Sequence, residues 1–273
     1  MEGLRGIGIP VKKVGGICPI HKEPLVQDVY EHGEPFCRSC VKKNIEDKKR
    51  ALDRKNTRDI VAKYFNRYSL VYNPEELTYS FDKFKATKGT KEYEIKQTAR
   101  RLAGVYLKDR KAKFNTIFFG APGSGKTLLA MSMIKGINDN AEPPQRCVFI
   151  NVNRLMDKVF SSINNPYEIW TKNKAIEIIG GADTVVLDDL GTESHMTARG
   201  EASEFVQHLL YSISNQPTRL IITTNLTQDQ FRHTYNEKII SRLFAGSKSS
   251  IVEFTGIKDK RQGVMYGTET EKR

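Results

Sequence analysis

The chain has 273 residues and a formal net charge of +12, with 44 Lys or Arg against 32 Asp or Glu. Its 38% hydrophobic and 28% charged content is that of an ordinary globular protein, long enough for one full-size α/β domain and a small appendage. No apolar run approaches the ~20 residues that span a bilayer, and "MEGLRGIGIPVKKVGG" has no continuous apolar stretch of signal-peptide type, so a cytoplasmic, reducing location is expected.

In a reducing compartment, clustered cysteines hold metal more often than they form disulfides. Residues 1–41 are short, turn-rich and carry such a cluster. Cys18, His21, Cys37 and Cys40 form C-x2-H and C-x2-C hooks separated by fifteen residues, the donor set of a tetrahedral Zn²⁺ site. Protein fills all four positions, so this zinc is expected to be structural. A segment so small has too little core to fold alone, and the metal would supply its stability. His32 competes for the fourth position, although the hook spacing favours His21. Apolar residues between the hooks can close a minimal hairpin. The intervening "EPLVQDVYEHGEP" is net acidic, which argues against a DNA-facing role and for a protein partner.

Residues 42–76 mix charges of both signs with periodic apolar positions and predict a helical connector closed by Pro74. Residues 77–273 alternate apolar β-rich runs with amphipathic stretches, the pattern of a parallel sheet covered by helices. Within this zone, Lys83 to Lys113 contains eleven Lys or Arg and three acids, a net of +8. That stretch is either a solvated helix face or a surface that contacts phosphates. The expected strands are "NTIFFG", "RCVFINV", "DTVVLDDL", "TRLIITTNL" and "SSIVEF". The expected helices are "KTLLAMSMIKGI", "RLMDKVFSSI", a long one from about Glu201 to Ser214, and "NEKIISRLFAG". Cys147, opening the second strand, reads as a buried structural thiol.

"GAPGSGKT" fills the P-loop pattern with Gly120, Ala121, Pro122, Gly123, Ser124, Gly125, Lys126 and Thr127, and Leu128 continues into the helix. The glycines permit torsions that turn N–H groups around phosphate oxygens, and the helix adds its positive end. Lys126 is placed for the β- and γ-phosphates of ATP, and the Thr127 hydroxyl for Mg²⁺. The apolar strand ending in "LDDLGTE" delivers Asp188 to the same Mg²⁺. Either Asp189 or Glu193 then orients or deprotonates the attacking water. Asp189 stands where many such ATPases carry Glu, and its shorter reach predicts slow hydrolysis. At the end of "IITTNL", Asn225 either caps the next helix or positions water near the γ-phosphate.

In this order and spacing "GAPGSGKT", "VLDDLGTE", "IITTNL" and "NEKIISRLF" resemble the DnaC/DnaI family of AAA+ helicase loaders, whose core is shared with IstB-type transposition ATPases. "LTYSFDKF" is similar to the segment that family places beside the adenine. The resemblance covers about residues 77–265. It implies a P-loop AAA+ ATPase preceded by a zinc-containing module that grips a hexameric replicative DNA helicase. It also implies delivery of that helicase onto single-stranded DNA and self-association in the ATP state. Arg242 in "ISRL" matches the arginine finger that reaches a neighbouring subunit's γ-phosphate, and Arg261 in "KDKRQG" a second sensor arginine in a degenerate motif. The alternatives are a transposition helper that binds duplex DNA and a zinc-containing nucleic-acid-binding regulator with weak ATPase activity.

Overall fold

A computed structural model of the chain describes residues 10–30, 33–192, 203–257 and 259. The chain divides into two compact units between Asp59 and Ile60. In the first, strands β1 (Val11–Ile17) and β2 (Pro24–Asp28) form an antiparallel pair. The first hook is the turn between them, where Lys22 N–H donates back to Cys18 O. Lys22 itself takes φ +56°. The hairpin expected between the hooks is therefore displaced: β2 pairs backward with β1 and meets the second hook through a Val26–Phe36 bridge.

Helix α1 (Arg38–Tyr68) begins at the second hook and continues into the second unit. It starts earlier and ends sooner than the expected 42–76 connector. Residues 42–57 are exposed on every face, as the mixed charges require, whereas the last turns bury Val61 and Phe65. The helix stops because Leu70 turns extended and pairs with Ile150. Pro74 does not close it but opens a 3-10 turn, Pro74–Thr78, capped by Asn73.

The second unit holds a five-stranded, all-parallel sheet made of β3 (Thr116–Phe119), β4 (Cys147–Asn151), β5 (Thr184–Asp188), β6 (Arg219–Thr224) and β7 (Ile251–Glu253). The strand order is β4-β5-β6-β3-β7. Strand alternation splits the core in two. Ile117, Ile150, Leu187 and Ile222 face α4 (Val152–Asn164), α5 (Lys172–Gly180), α6 (Glu204–Ser214) and α8 (Glu237–Leu243). Phe118, Phe149, Val186 and Ile221 face α2 (Lys91–Lys108) and α3 (Lys126–Asn140). Cys147 is fully buried in this second layer, and burial drives its thiol pKa upward. The helix expected from Glu201 runs from Glu204 behind a Ser203 cap, and Glu201 lies outside the described residues.

Strand β1, helix α5 and the short α7 (Gln228–Thr234) went unread in the sequence, and α2 was read only as one alternative for the basic stretch. Helix α2 crosses the basic stretch and buries Ile95, Ala99, Leu102, Ala103 and Tyr106. Its apolar stripe was masked by the lysines and arginines between. No described helix is long and apolar enough to cross a membrane.

Candidate functional site

Side-chain caps mark the starts of α2 and α4 through α8: Thr90, Asn151, Thr171, Ser203, Thr227 and Asn236 each accept a backbone N–H. Helix α3 is different. It starts at Gly125 with no side-chain cap, and its N-terminal amides face the loop, the arrangement suited to an anion. Gly125 sits at φ +94° and Gly123 at +75°. A Cβ on Gly125 would run into the Phe84 ring, and one on Gly123 into the Asp259 carboxylate. Both conformation and space therefore require glycine at each position. Phe84, fully buried, ends "LTYSFDKF". Ala121 and Pro122 are exposed at the tip, Ser124 is buried with its hydroxyl donating to Ala121 O, and Leu128 packs into the second core layer.

Lys126 is 4% exposed. Its Nζ donates to Gly120 O at 2.7 Å, Ala121 O at 2.9 Å and Asn225 Oδ1 at 2.8 Å. Asn225 Nδ2 in turn donates to Asp189 Oδ1 at 3.4 Å. The P-loop lysine, the strand-end amide and the second carboxylate thus form one polar chain across the ends of β3, β5 and β6. Asn225 is not the cap of α7, a place taken by Thr227.

Asp188 is buried at the end of β5. Thr223 Oγ1 donates to its Oδ1 at 2.7 Å and accepts the Asp189 N–H at 2.9 Å. Asn151, its register partner on β4, donates to Oδ2 at 3.4 Å. Burial and the adjacent Asp189 push the Asp188 carboxyl up to about 7, against the hydroxyls of Thr223 and Thr127. Two carboxylates and a hydroxyl crowded in a low-dielectric pocket are a donor set that a hard dication satisfies, so Thr127 and Asp188 fit Mg²⁺. Asp189 is held at φ +57°, a left-handed conformation that aspartate tolerates at a cost of order 1 kcal/mol. Glu193 and Arg261 lie outside the described residues.

Sequence reasoning missed Thr223 and Asn151 as supports of Asp188, together with Glu76. Glu76 is nearly buried, accepts the Tyr72 N–H at 3.2 Å and adds negative potential at Asp188. Asn151 and Thr223 carried a readable signal: each is polar at the C-terminal end of an otherwise apolar strand, as Asn225 is.

Arg242 lies at the opposite end of the sheet. Asn115, the residue before β3, donates through Nδ2 to Arg242 O at 3.0 Å, whereas the P-loop follows the far end of β3. A four-residue strand separates them by roughly 13 Å. The guanidinium turns towards α6, not towards this chain's own Lys126.

In the first unit Cys18, His21, Cys37 and Cys40 converge. Cys18 and Cys40 sulfurs are 3.7 Å apart, and His21 Nδ1 is 3.3, 3.6 and 3.8 Å from the sulfurs of Cys40, Cys37 and Cys18. A zinc tetrahedron with Zn–S of about 2.3 Å and Zn–N of about 2.0 Å has edges of about 3.8 and 3.5 Å, so these separations suit Zn²⁺, and all four donor atoms lie within 4.8 Å of one another. The His21 N–H donates to Cys18 Sγ at 3.4 Å and, as the largest influence, lowers that thiol to about 6. Burial and the neighbouring thiols raise Cys40 to about 11, and a bound dication would favour the thiolate form at such a site. His32 lies outside the described residues.

Residues 116–244 match the family model described as "ATPase family associated with various cellular activities (AAA)" and form an AAA domain. No curated protein matches the chain. Among solved structures the chain is similar to that of DnaI, at 20% identity over 68% of this chain and 96% of that one, with a TM-score of 0.52. It is also similar to a DnaC helicase loader, at 21% identity over 67% and 98% with a TM-score of 0.47. A third is AMPPCP-bound DnaA from Aquifex aeolicus, at 17% identity over 66% and 50% with a TM-score of 0.46. The chain spans about half the length of the DnaA structures it matches. At 20% identity the DnaI likeness speaks to the fold.

Proposed function

We propose that this chain is an ATP-driven loader that binds a hexameric replicative DNA helicase and delivers it onto single-stranded DNA. The observation that supports this most is the separation of Arg242 from the nucleotide cradle of its own chain. An ATPase whose charged finger lies across the sheet from its own P-loop needs a second copy to complete its site, and such assembly suits a ring-handling switch. Lys126 and the amides of the P-loop and α3 would bind the phosphates. Thr127 and Asp188 would hold Mg²⁺, which neutralises charge on the β- and γ-phosphates when bound. Asp189 and Asn225 would orient the attacking water, with Thr223 and Asn151 fixing Asp188. Glu193 and Arg261 keep the roles that the family resemblance implies. Zinc held by Cys18, His21, Cys37 and Cys40 would order the helicase-gripping module, and the Lys83–Lys113 segment would supply salt-sensitive affinity for single-stranded DNA. A cytoplasmic site of action follows from that role.

The test is loading onto a closed circle of single-stranded DNA, which a preformed ring cannot thread. With ATP and the zinc-loaded chain, a hexameric replicative helicase should become DNA-bound and unwind an annealed strand. Lys126→Ala should abolish both ATP binding and loading while zinc content and fold remain. Failure of the wild-type chain to bind any hexameric helicase, with tight duplex binding instead, would move the transposition-helper reading ahead.

A further inference from the structure

Arg242 is a half-buried residue in the last turn of α8, and its side chain is held from three directions. Its Nε donates to Asn215 Oδ1 at 2.6 Å, one terminal nitrogen donates to Lys238 O at 3.2 Å, and the other reaches the Tyr211 hydroxyl at 3.4 Å. The guanidinium carbon stands 4.7 Å from the Tyr211 ring centroid. The backbone beneath is also pinned: Asn115 Nδ2 donates to the carbonyls of Arg242 and Leu243, and its Oδ1 accepts the Leu220 N–H. Tyr211 and Asn215 are four apart on α6 and so share one face. Asn215 is the C-cap of that helix, its N–H bonded to Tyr211 O.

The chemistry of these partners is informative. Arg110 and Arg100 pair with carboxylates, at 2.5 Å to Asp183 and 3.3 Å to Asp82, which neutralises them. Every partner of Arg242 among the described residues is neutral: an amide oxygen, a carbonyl, a phenol and a ring face. Its geometry is fixed while its charge is kept, and the guanidinium fork is only partly used. It lines a recess of about 230 Å³ beside the exposed Lys113, a cation that an incoming polyphosphate would find favourable. An exposed arginine gains little from a carboxylate and loses its net charge to it. One that must meet an anion on another molecule gains from being pre-set and unneutralised, because ordering a long side chain at docking then costs less.

We propose that Tyr211 and Asn215 are positioning residues that pre-set Arg242 for the γ-phosphate of a nucleotide bound by a second copy of this chain. The inference rests on the trans role of Arg242. It adds that the competence of the finger is built into the donor subunit before assembly, by a neutral clamp on α6.

A mixing experiment with full-length chains separates the two ideas. The acceptor is Arg242→Ala, which binds ATP but offers no finger. The donor is Lys126→Ala, which offers a finger but binds no ATP. ATP turnover of the mixture should exceed that of either alone. A donor that also carries Asn215→Ala should restore roughly ten- to a hundredfold less turnover. The KM for ATP should stay unchanged, because the ATP-binding chain is the same. Tyr211→Leu in the donor should act in the same direction, and Tyr211→Phe, which keeps the ring, should retain most of the rescue. Melting curves and zinc content of each donor identify any misfolded variant, and the Tyr211 pair then carries the decision. If the Asn215→Ala and Tyr211→Leu donors rescue as well as the plain donor, the clamp is overturned and the trans role stands. Higher turnover with them would also overturn it, by showing that the contacts park the finger instead of presenting it. If the plain donor never rescues, the trans role fails and the clamp fails with it.

Discussion

Among described residues before Ile60, the buried hydrophobic side chains are Val11, Cys18, Val26 and Cys37, two of them in the Cys/His cluster. From Ile60 onward, β3, β4, β5 and β6 are buried at every position and two core layers cover both faces of the sheet. One chain therefore uses two sources of stability. In the first unit, four donors at tetrahedral spacing stand where a core would be. In the second, apolar burial is so extensive that polar side chains can be held under strain around Asp188 and Asp189. Metal chemistry can order a short segment without enlarging it, whereas a parallel sheet needs length and tolerates functional irregularity in return.

The largest effect that would sharpen this contrast is metal removal. Structural zinc contributes apparent folding energy of about 10–16 kcal/mol in small domains. Chelation, or Cys37→Ser, should unfold residues 10–41 while the cooperative melting of the AAA domain persists. Loss of both transitions together would break the comparison. Elemental analysis should find one zinc per chain before chelation.

A core truncation should do the reverse. Phe149→Ala, at a fully buried position on β4, should cost about 3–5 kcal/mol and lower the midpoint of the main transition. Zinc content should be unchanged. Smaller again is Thr227→Ala, which removes the capping box of α7 and should cost about 1 kcal/mol in urea titrations, without loss of ATP binding. The smallest effect on stability should come from reversing Lys85, Lys88 and Arg101, all exposed. Folding should change by only a few tenths of a kcal/mol, yet affinity for single-stranded DNA should fall and its salt slope flatten. An unaltered slope would assign that charge to solvation alone.

The strands and the P-loop were legible because each is a local pattern: four to six apolar residues, or glycines at fixed offsets from a lysine. The convergence of Cys18, His21, Cys37 and Cys40 was legible for the same reason. What escaped depends on partners distant in sequence. Helix α1 ends where it does because Leu70 finds Ile150, and no local signal announces that pairing. Asn115, Tyr211 and Asn215 read as ordinary polar residues until α6, α8 and the edge of β3 bring them to Arg242. Glu76 sits in a short 3-10 turn, and its effect on Asp188 arises only in three dimensions.

The strand order also governs when the protein becomes competent during synthesis. β4 and β5 pair over a short stretch of chain, but β3 lies between β6 and β7. Its Thr116 waits for Ile221, roughly 100 residues later, which at about 5–20 residues per second is some 5–20 s of translation. Through that interval "TIFF" has no strand beside it, and the loop it anchors has no fixed frame. The ribosome must deliver β6 before the phosphate cradle can close, so the first motif of the nucleotide site to be made is among the last to work.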